Sequence, residues 1–300
     1  MTMKQFFGKV PHIATIVTSV AMFGSLGVGE ALAADAQPRD FLPAPAGTHL
    51  GLLYNLNSSS DTFVDANGNE VPGSGLDTHI GIARYVYFFD VAGVRADINV
   101  VQPFGGLSNM SLGGSPLNSD DFSLGDTSIV GTFWPLNDPE NNRYFALATY
   151  LTLPTGEYDA NVASLGSNRW SVTVQPAFYF NISPQWSVDL VGDVTIYGDN
   201  DDGPGGIKIE KDPNFTALGW LNYHASEATT VSFGISTTHG GEETWGGVSR
   251  GDSQVTTVRA AWSQMLNPTT QLVLEIGTDV ETENTFKRDT AALVRLAKFF

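Results

Sequence analysis

The sequence predicts an all-β fold, a transmembrane antiparallel up-and-down β-barrel of about twelve strands. Three observations predict it. The N-terminus has the layout of a cleavable export signal. Apolar and polar residues alternate with a period of two, in segments of roughly ten residues. The connections between those segments are alternately long and short.

The export signal comes first. Lys4 and Lys9 make a positive start, residues 13–28 are mostly apolar and uncharged, and Ala31-Leu32-Ala33 supplies a small-x-small cleavage site. Residues 1–33 are therefore expected to be removed. The mature chain then begins near Ala34, with 34–46 as a periplasmic N-terminal segment and 47–300 as the barrel.

The strands are expected near 47–57, 76–89, 94–103, 124–134, 143–153, 168–181, 186–197, 213–225, 229–239, 254–262, 270–278 and 290–300. In the first, Leu50, Leu52, Tyr54 and Leu56 share a face opposite His49, Gly51, Asn55 and Asn57. In the third, Val94, Ala96, Ile98 and Val100 oppose Arg95, Asp97 and Asn99. The fifth sets Phe145, Leu147 and Leu151 against Ala146, Ala148 and Tyr150; the sixth sets Val172, Val174 and Phe178 against Thr173, Gln175 and Tyr179. The seventh sets Val188, Leu190 and Val194 against Asp189 and Asp193, the ninth Phe233 and Ile235 against Ser232 and Ser236, and the eleventh Leu274 and Ile276 against Glu275. Ala292, Val294, Leu296 and Phe300 line one face of the last strand.

A soluble sandwich also alternates, so the connections decide. Asp90-Val91-Ala92-Gly93, Ile182-Ser183-Pro184-Gln185 and Ser226-Glu227-Ala228 are short; the intervening connections are long and polar, as in residues 199–206. Short periplasmic turns alternating with long outer loops are the habit of outer-membrane barrels. In hydrocarbon every backbone N–H and C=O needs a partner inside the protein, and a closed sheet leaves no edge. Tyr87, Phe88, Phe89, Trp134, Trp170, Trp186 and Trp262 near strand ends suit interfacial girdles. Two positions are open. Arg84 shares the parity of Ile80, Ile82, Val86 and Phe88, so either a bulge shifts the register or Tyr85 and Tyr87 face lipid. Arg259 leaves the tenth strand similarly ambiguous.

Net charge is −17, which argues against a nucleic-acid partner, and the absence of cysteine removes disulfides, zinc-thiolate sites and thiol chemistry. No cofactor, metal or catalytic residue is expected, so the chain reads as a non-enzyme. His224-Ala225-Ser226 resembles a phospholipase spacing, yet Ser226 falls in a turn. Asp199, Asp201 and Asp202 with His239 point only weakly to a protease-like rim. Asp65-Ala66-Asn67-Gly68-Asn69 mimics the start of a calcium loop, but Glu70 replaces the expected glycine and a solvated turn is favoured. The inward parity holds Arg95, Asp97, Asn99, Arg169, Gln175, Tyr179, Asp189, Asp193, Tyr197, Glu275 and Arg295, expected to line the lumen either as a pore or as a packed interior.

Several runs resemble a known family: residues 78–81, 91–95 and 101–106, then Gly125-Asp126-Thr127, residues 150–159, and Gln175-Pro176-Ala177-Phe178-Tyr179. They resemble the outer-membrane family named for the meta pathway of phenol degradation, whose members are often labelled transporters. The resemblance implies an outer-membrane channel for passive uptake of small hydrophobic or aromatic compounds, with a barrel hydrolase or a non-conducting structural barrel as alternatives. A closing strand ending in Phe300 resembles the signal read by the barrel-assembly machinery. Outer-membrane lipid and lipopolysaccharide are the remaining expected partners, with a small hydrophobic ligand.

Overall fold

Alternation along each strand becomes an inside and an outside only when the sheet closes. The computed structural model describes residues 35–300, so the expected signal lies outside the described residues. Twelve strands form the barrel: β1 His49–Ser60, β2 Gly75–Val91, β3 Val94–Leu112, β4 Thr127–Asp138, β5 Arg143–Leu153 and β6 Ser171–Ser183. They continue as β7 Trp186–Tyr197, β8 Asn214–His224, β9 Thr229–Gly240, β10 Ser253–Asn267, β11 Thr270–Glu283 and β12 Thr290–Phe299. Each pairs antiparallel with the next, and β12 pairs with β1 through Leu50↔Phe299 to Ser59↔Thr290, which closes the ring. Short turns and the end of β12 share one rim, where Phe300 N donates to His49 O at 2.9 Å. The turn after β2 needs only Ala92 and Gly93, both with positive φ (50° and 82°), the geometry that matches the twist of a hairpin. The long connections gather at the other rim, the outer one for this architecture.

The exterior carries the apolar band a bilayer requires. Leu53, Ile98, Leu190, Phe233, Ile235 and Ile276 are each more than half exposed. The register passes through Arg84 without a bulge on either side, so Tyr85 and Tyr87 face outward and Arg84 inward. Arg259 also faces inward, beside Asp35. Two of the expected girdle aromatics do not belong to the girdle. Phe88 and Trp134 are buried in the interior with ring centroids 6.0 Å apart. The β4 register shifts between Phe133 and Leu136, around Trp134 and Pro135.

In β1 and β2 the more apolar face points inward, where Tyr54, Leu56, Ile80, Ile82 and Val86 are buried. The cause is the N-terminal segment. Expected on the periplasmic side, its described part, residues 35–46, runs inside the barrel wall, where Ala36 and Phe41 join the buried apolar cluster and Ala44 packs against it. Gly47 N then donates to Phe88 O at 2.8 Å, setting the chain into β1. At the outer rim β3 extends to Leu112, beyond its expected end, and two small three-stranded sheets stand on the loops.

Candidate functional site in the barrel lumen

The periplasmic half of the lumen is filled. Residues 35–46 are held there by side chains from around the wall. Arg295 binds Asp40, Arg95 Nη1 donates to Ala44 O, and Trp134 Nε1 donates to Phe41 O at 2.9 Å. Arg39 N donates to Asp189 Oδ2 and its Nη1 to Thr230 Oγ1, each at 3.3 Å. Trp220 Nε1 donates to Ala36 O at 3.1 Å. The Trp220 ring lies so close over Gly234 that a Cβ there would meet it at 2.5 Å, so glycine is required for this seat. Proline at positions 38, 43 and 45 restricts the segment in advance, which lowers the entropy lost on docking.

Around that segment the wall is bonded to itself. Arg84 Nε donates to Asn99 Oδ1 at 3.0 Å and Asn99 Nδ2 to Asp97 Oδ1 at 2.8 Å. Asn222 Nδ2 donates to Asp189 Oδ2 at 2.7 Å, and Ser232 Oγ to Asn222 Oδ1 at 2.7 Å. Tyr179 OH donates to Asn181 Oδ1 at 3.0 Å, and Arg295 Nη2 to Gln271 Oε1 at 2.9 Å. Buried ions and amides are tolerable because they satisfy one another.

The outer half is different. A cavity of about 270 Å³ reaches the rim along Ser60, Asn214, Gly240 and Ser253, and its floor is Asp35 and Ala36. Its walls mix hydroxyls with Leu56, Leu76, Val191, Leu218 and Phe286. Many of those hydroxyls pair across strands: Ser58–Thr78 at 2.7 Å, Thr173–Thr195 at 2.8 Å and Thr216–Thr238 at 3.2 Å. At the floor both carboxylate oxygens of Asp35 lie 2.7 Å from Arg259 Nη1, with Glu275 at 3.8 Å. Arg288 binds Asp279 at 2.9 Å on the same side.

Of the residues expected to line the lumen, Gln175, Asp193 and Tyr197 border this cavity. Arg95, Asp97, Asn99, Tyr179, Asp189 and Arg295 sit in the filled half, and Glu275 borders a small cavity beside the Asp35–Arg259 pair. Arg169 is buried at the outer end of β6, where Ser167 Oγ donates to its carbonyl oxygen at 3.2 Å. There the loops after β3 and β5 are joined by Asp126, which accepts from Gly156 N and Ser167 N, both at 2.8 Å. Sequence reasoning missed Asp35, Asp279, Arg288 and the hydroxyl pairs, and it left Arg259 undecided. For Arg259 a signal existed: a guanidinium in hydrocarbon is costly, so its parity had to be the inner one.

In the motifs with possible chemistry the side chains sit as follows. Ser226 Oγ accepts from Ala228 N and Thr229 N and caps a turn. His224 Nε2 lies 2.9 Å from Ser187 Oγ, but Ser187 is fully buried and Asn222 turns to Asp189 instead of His224. Asp199 is held by Lys208 at 2.7 Å, while His239 is exposed on β9 opposite Phe215. Asp65 Oδ1 accepts from Asn67 N and Asn69 N, both at 2.8 Å, which makes the calcium-like run an Asx-type turn. Those backbone donors, Asn69 first, hold the Asp65 carboxyl below its ordinary range.

The comparisons agree with this architecture. No curated protein matches the sequence. A crystallised outer membrane channel from Pseudomonas putida F1 is 29% identical, with a TM-score of 0.83, over 89% of this chain and 100% of that one. The translocator domain of the autotransporter NalP from Neisseria meningitidis is 8% identical, with a TM-score of 0.51, over 91% of this chain and 92% of that one, and shares the fold alone. The barrel is one of the bacterial outer membrane. The family model described as "Putative MetA-pathway of phenol degradation" matches residues 60–296, and the chain belongs to that family.

Proposed function

We propose that this protein is a passive outer-membrane channel for small hydrophobic or aromatic compounds. The observation that carries the reading is the cavity of about 270 Å³ that reaches the outer rim and is floored by a segment outside the barrel sheet. A solute entering from outside meets half-apolar walls, many of whose hydroxyls bond to each other, which lowers the cost of seating an apolar body there. The interior residues Gln175, Asp193 and Tyr197 then act as lining for the solute, and the others as the packing that holds the floor. The family and the similar Pseudomonas channel support the channel class.

Planar-bilayer recording tests the reading. The wild-type barrel should show small, rare conductance, and a variant lacking residues 35–46 should conduct severalfold more. Equal currents from both would contradict it. Export with cleavage after Ala33, and recognition of Phe300 by the assembly machinery, belong to the same proposal; intact mass of the exported chain beginning at Ala34 checks the first.

A further inference from the structure

We propose that the outer cavity is a binding site for a small monocarboxylate with a compact apolar body, and that Asp35 is its built-in stand-in. The proposal rests on the channel reading only for the steps after binding. Asp35 belongs to the docked segment, whereas Arg259 belongs to the wall. Both oxygens of the Asp35 carboxylate contact one guanidinium nitrogen at 2.7 Å. The other terminal nitrogen donates to Ser236 Oγ at 2.9 Å, and the guanidinium lies 6.0 Å from the Trp220 ring centroid. The Arg259 side chain is 8% exposed and the Asp35 side chain 25%, so the acid stands on the cavity side of the pair.

A carboxylate arriving from outside can therefore take the place of Asp35 without leaving Arg259 unpaired. Losing Asp35 outright would leave Arg259 with Glu275 alone, at 3.8 Å, and exchange restores a close carboxylate. A neutral alcohol cannot replace the ion, and an amine brings the wrong sign. The apolar body is set by Leu56, Leu218 and Phe286, beside hydroxyls that bond to each other across strands, as in Ser58–Thr78 and Thr216–Thr238. Asp40 on Arg295 is the counter-example. That pair is equally direct, but it lies in the filled half, away from the large cavity, so nothing can exchange with it. Displacing Asp35 removes one contact of the segment and leaves those of Ala36, Arg39 and Asp40, so binding weakens docking without abolishing it.

The test uses the full exported chain in lipid nanodiscs, with benzoate as probe and benzyl alcohol and benzylamine as controls, read by calorimetry. Benzoate should bind saturably and the two controls should not. Asp35→Asn should tighten benzoate severalfold, because the internal competitor is gone. Arg259→Gln should abolish binding, and Arg259→Lys should weaken it. Asp35→Asn leaves every wall residue in place, so it decides the matter if the Arg259 variants do not fold. Benzoate binding that matches benzyl alcohol, or that Asp35→Asn leaves unchanged or weakens, overturns the proposal. A wild-type barrel that binds benzoate while the variant lacking residues 35–46 passes no extra current overturns the channel reading alone. One that conducts as described but does not bind benzoate overturns only the carboxylate site.

Discussion

In the periplasmic half of the lumen Asp40 meets Arg295 among Tyr54, Gln271 and the docked segment; in the outer half Asp35 meets Arg259 beside a cavity of about 270 Å³. The two pairs are chemically alike, a carboxylate from the segment on an arginine from the wall. Their surroundings differ, and the surroundings set what each can do. An ion pair without nearby water is locked, because removing either member leaves a buried charge. A pair beside a cavity that reaches the rim can be exchanged. One barrel thus holds a sealed layer under an open one.

The largest effect that would sharpen this contrast is deletion of residues 35–46, expected to raise conductance severalfold while heat-modified gel mobility shows a folded barrel. Loss of the barrel would mean the segment is part of the folding core. Next, Asp40→Ala should destabilise the barrel by about 3–5 kcal/mol, since it strands Arg295. Asp35→Ala should cost clearly less, because Glu275 remains for Arg259 and the pair borders a cavity that reaches the outer rim. Urea unfolding in detergent measures both, and equal losses would erase the distinction between the layers. Asp193→Lys should shift ion selectivity toward anions and leave unfolding nearly unchanged, because Asp193 borders the cavity. The smallest effect is at the outer turn. The Asp65 carboxyl is held below its ordinary range, so the turn gains stability above the unfolded value and loses it only as pH falls through the lower, folded one. Proteolysis of the 61–74 loop should accelerate only in clearly acidic buffer for the wild type, and at neutral pH for Asp65→Ala.

The fold was legible because lipid imposes a strict pattern. The expected bounds of the fifth and seventh strands, 143–153 and 186–197, coincide with those of β5 and β7. There a lipid-facing apolar row faces a lumen row with Ala148 and Tyr150, or Asp189 and Asp193, and the two rows are easy to tell apart. In β1 and β2 the rule gives two faces without saying which is inner, since the docked segment is itself apolar through Ala36 and Phe41. Phe88 and Trp134 look like girdle residues for the same reason. The site was less legible. Nothing local in Asp35 to Ala46 announces that it enters the barrel, because its partners, Asp189, Trp220, Arg259 and Arg295, lie far along the chain. Pairings of such separation have no periodicity to betray them.

The division of the lumen into an open and a sealed layer can be read directly, because the chain has no cysteine to confuse a thiol label. Thr238 borders the outer cavity, and Ala177 is buried in the apolar cluster that includes Ala36 and Phe41 of the docked segment. On intact cells, an impermeant maleimide should label Thr238→Cys quickly. It should leave Ala177→Cys unlabelled until residues 35–46 are deleted, after which both should react. Equal labelling of the two in the undeleted barrel would contradict the account.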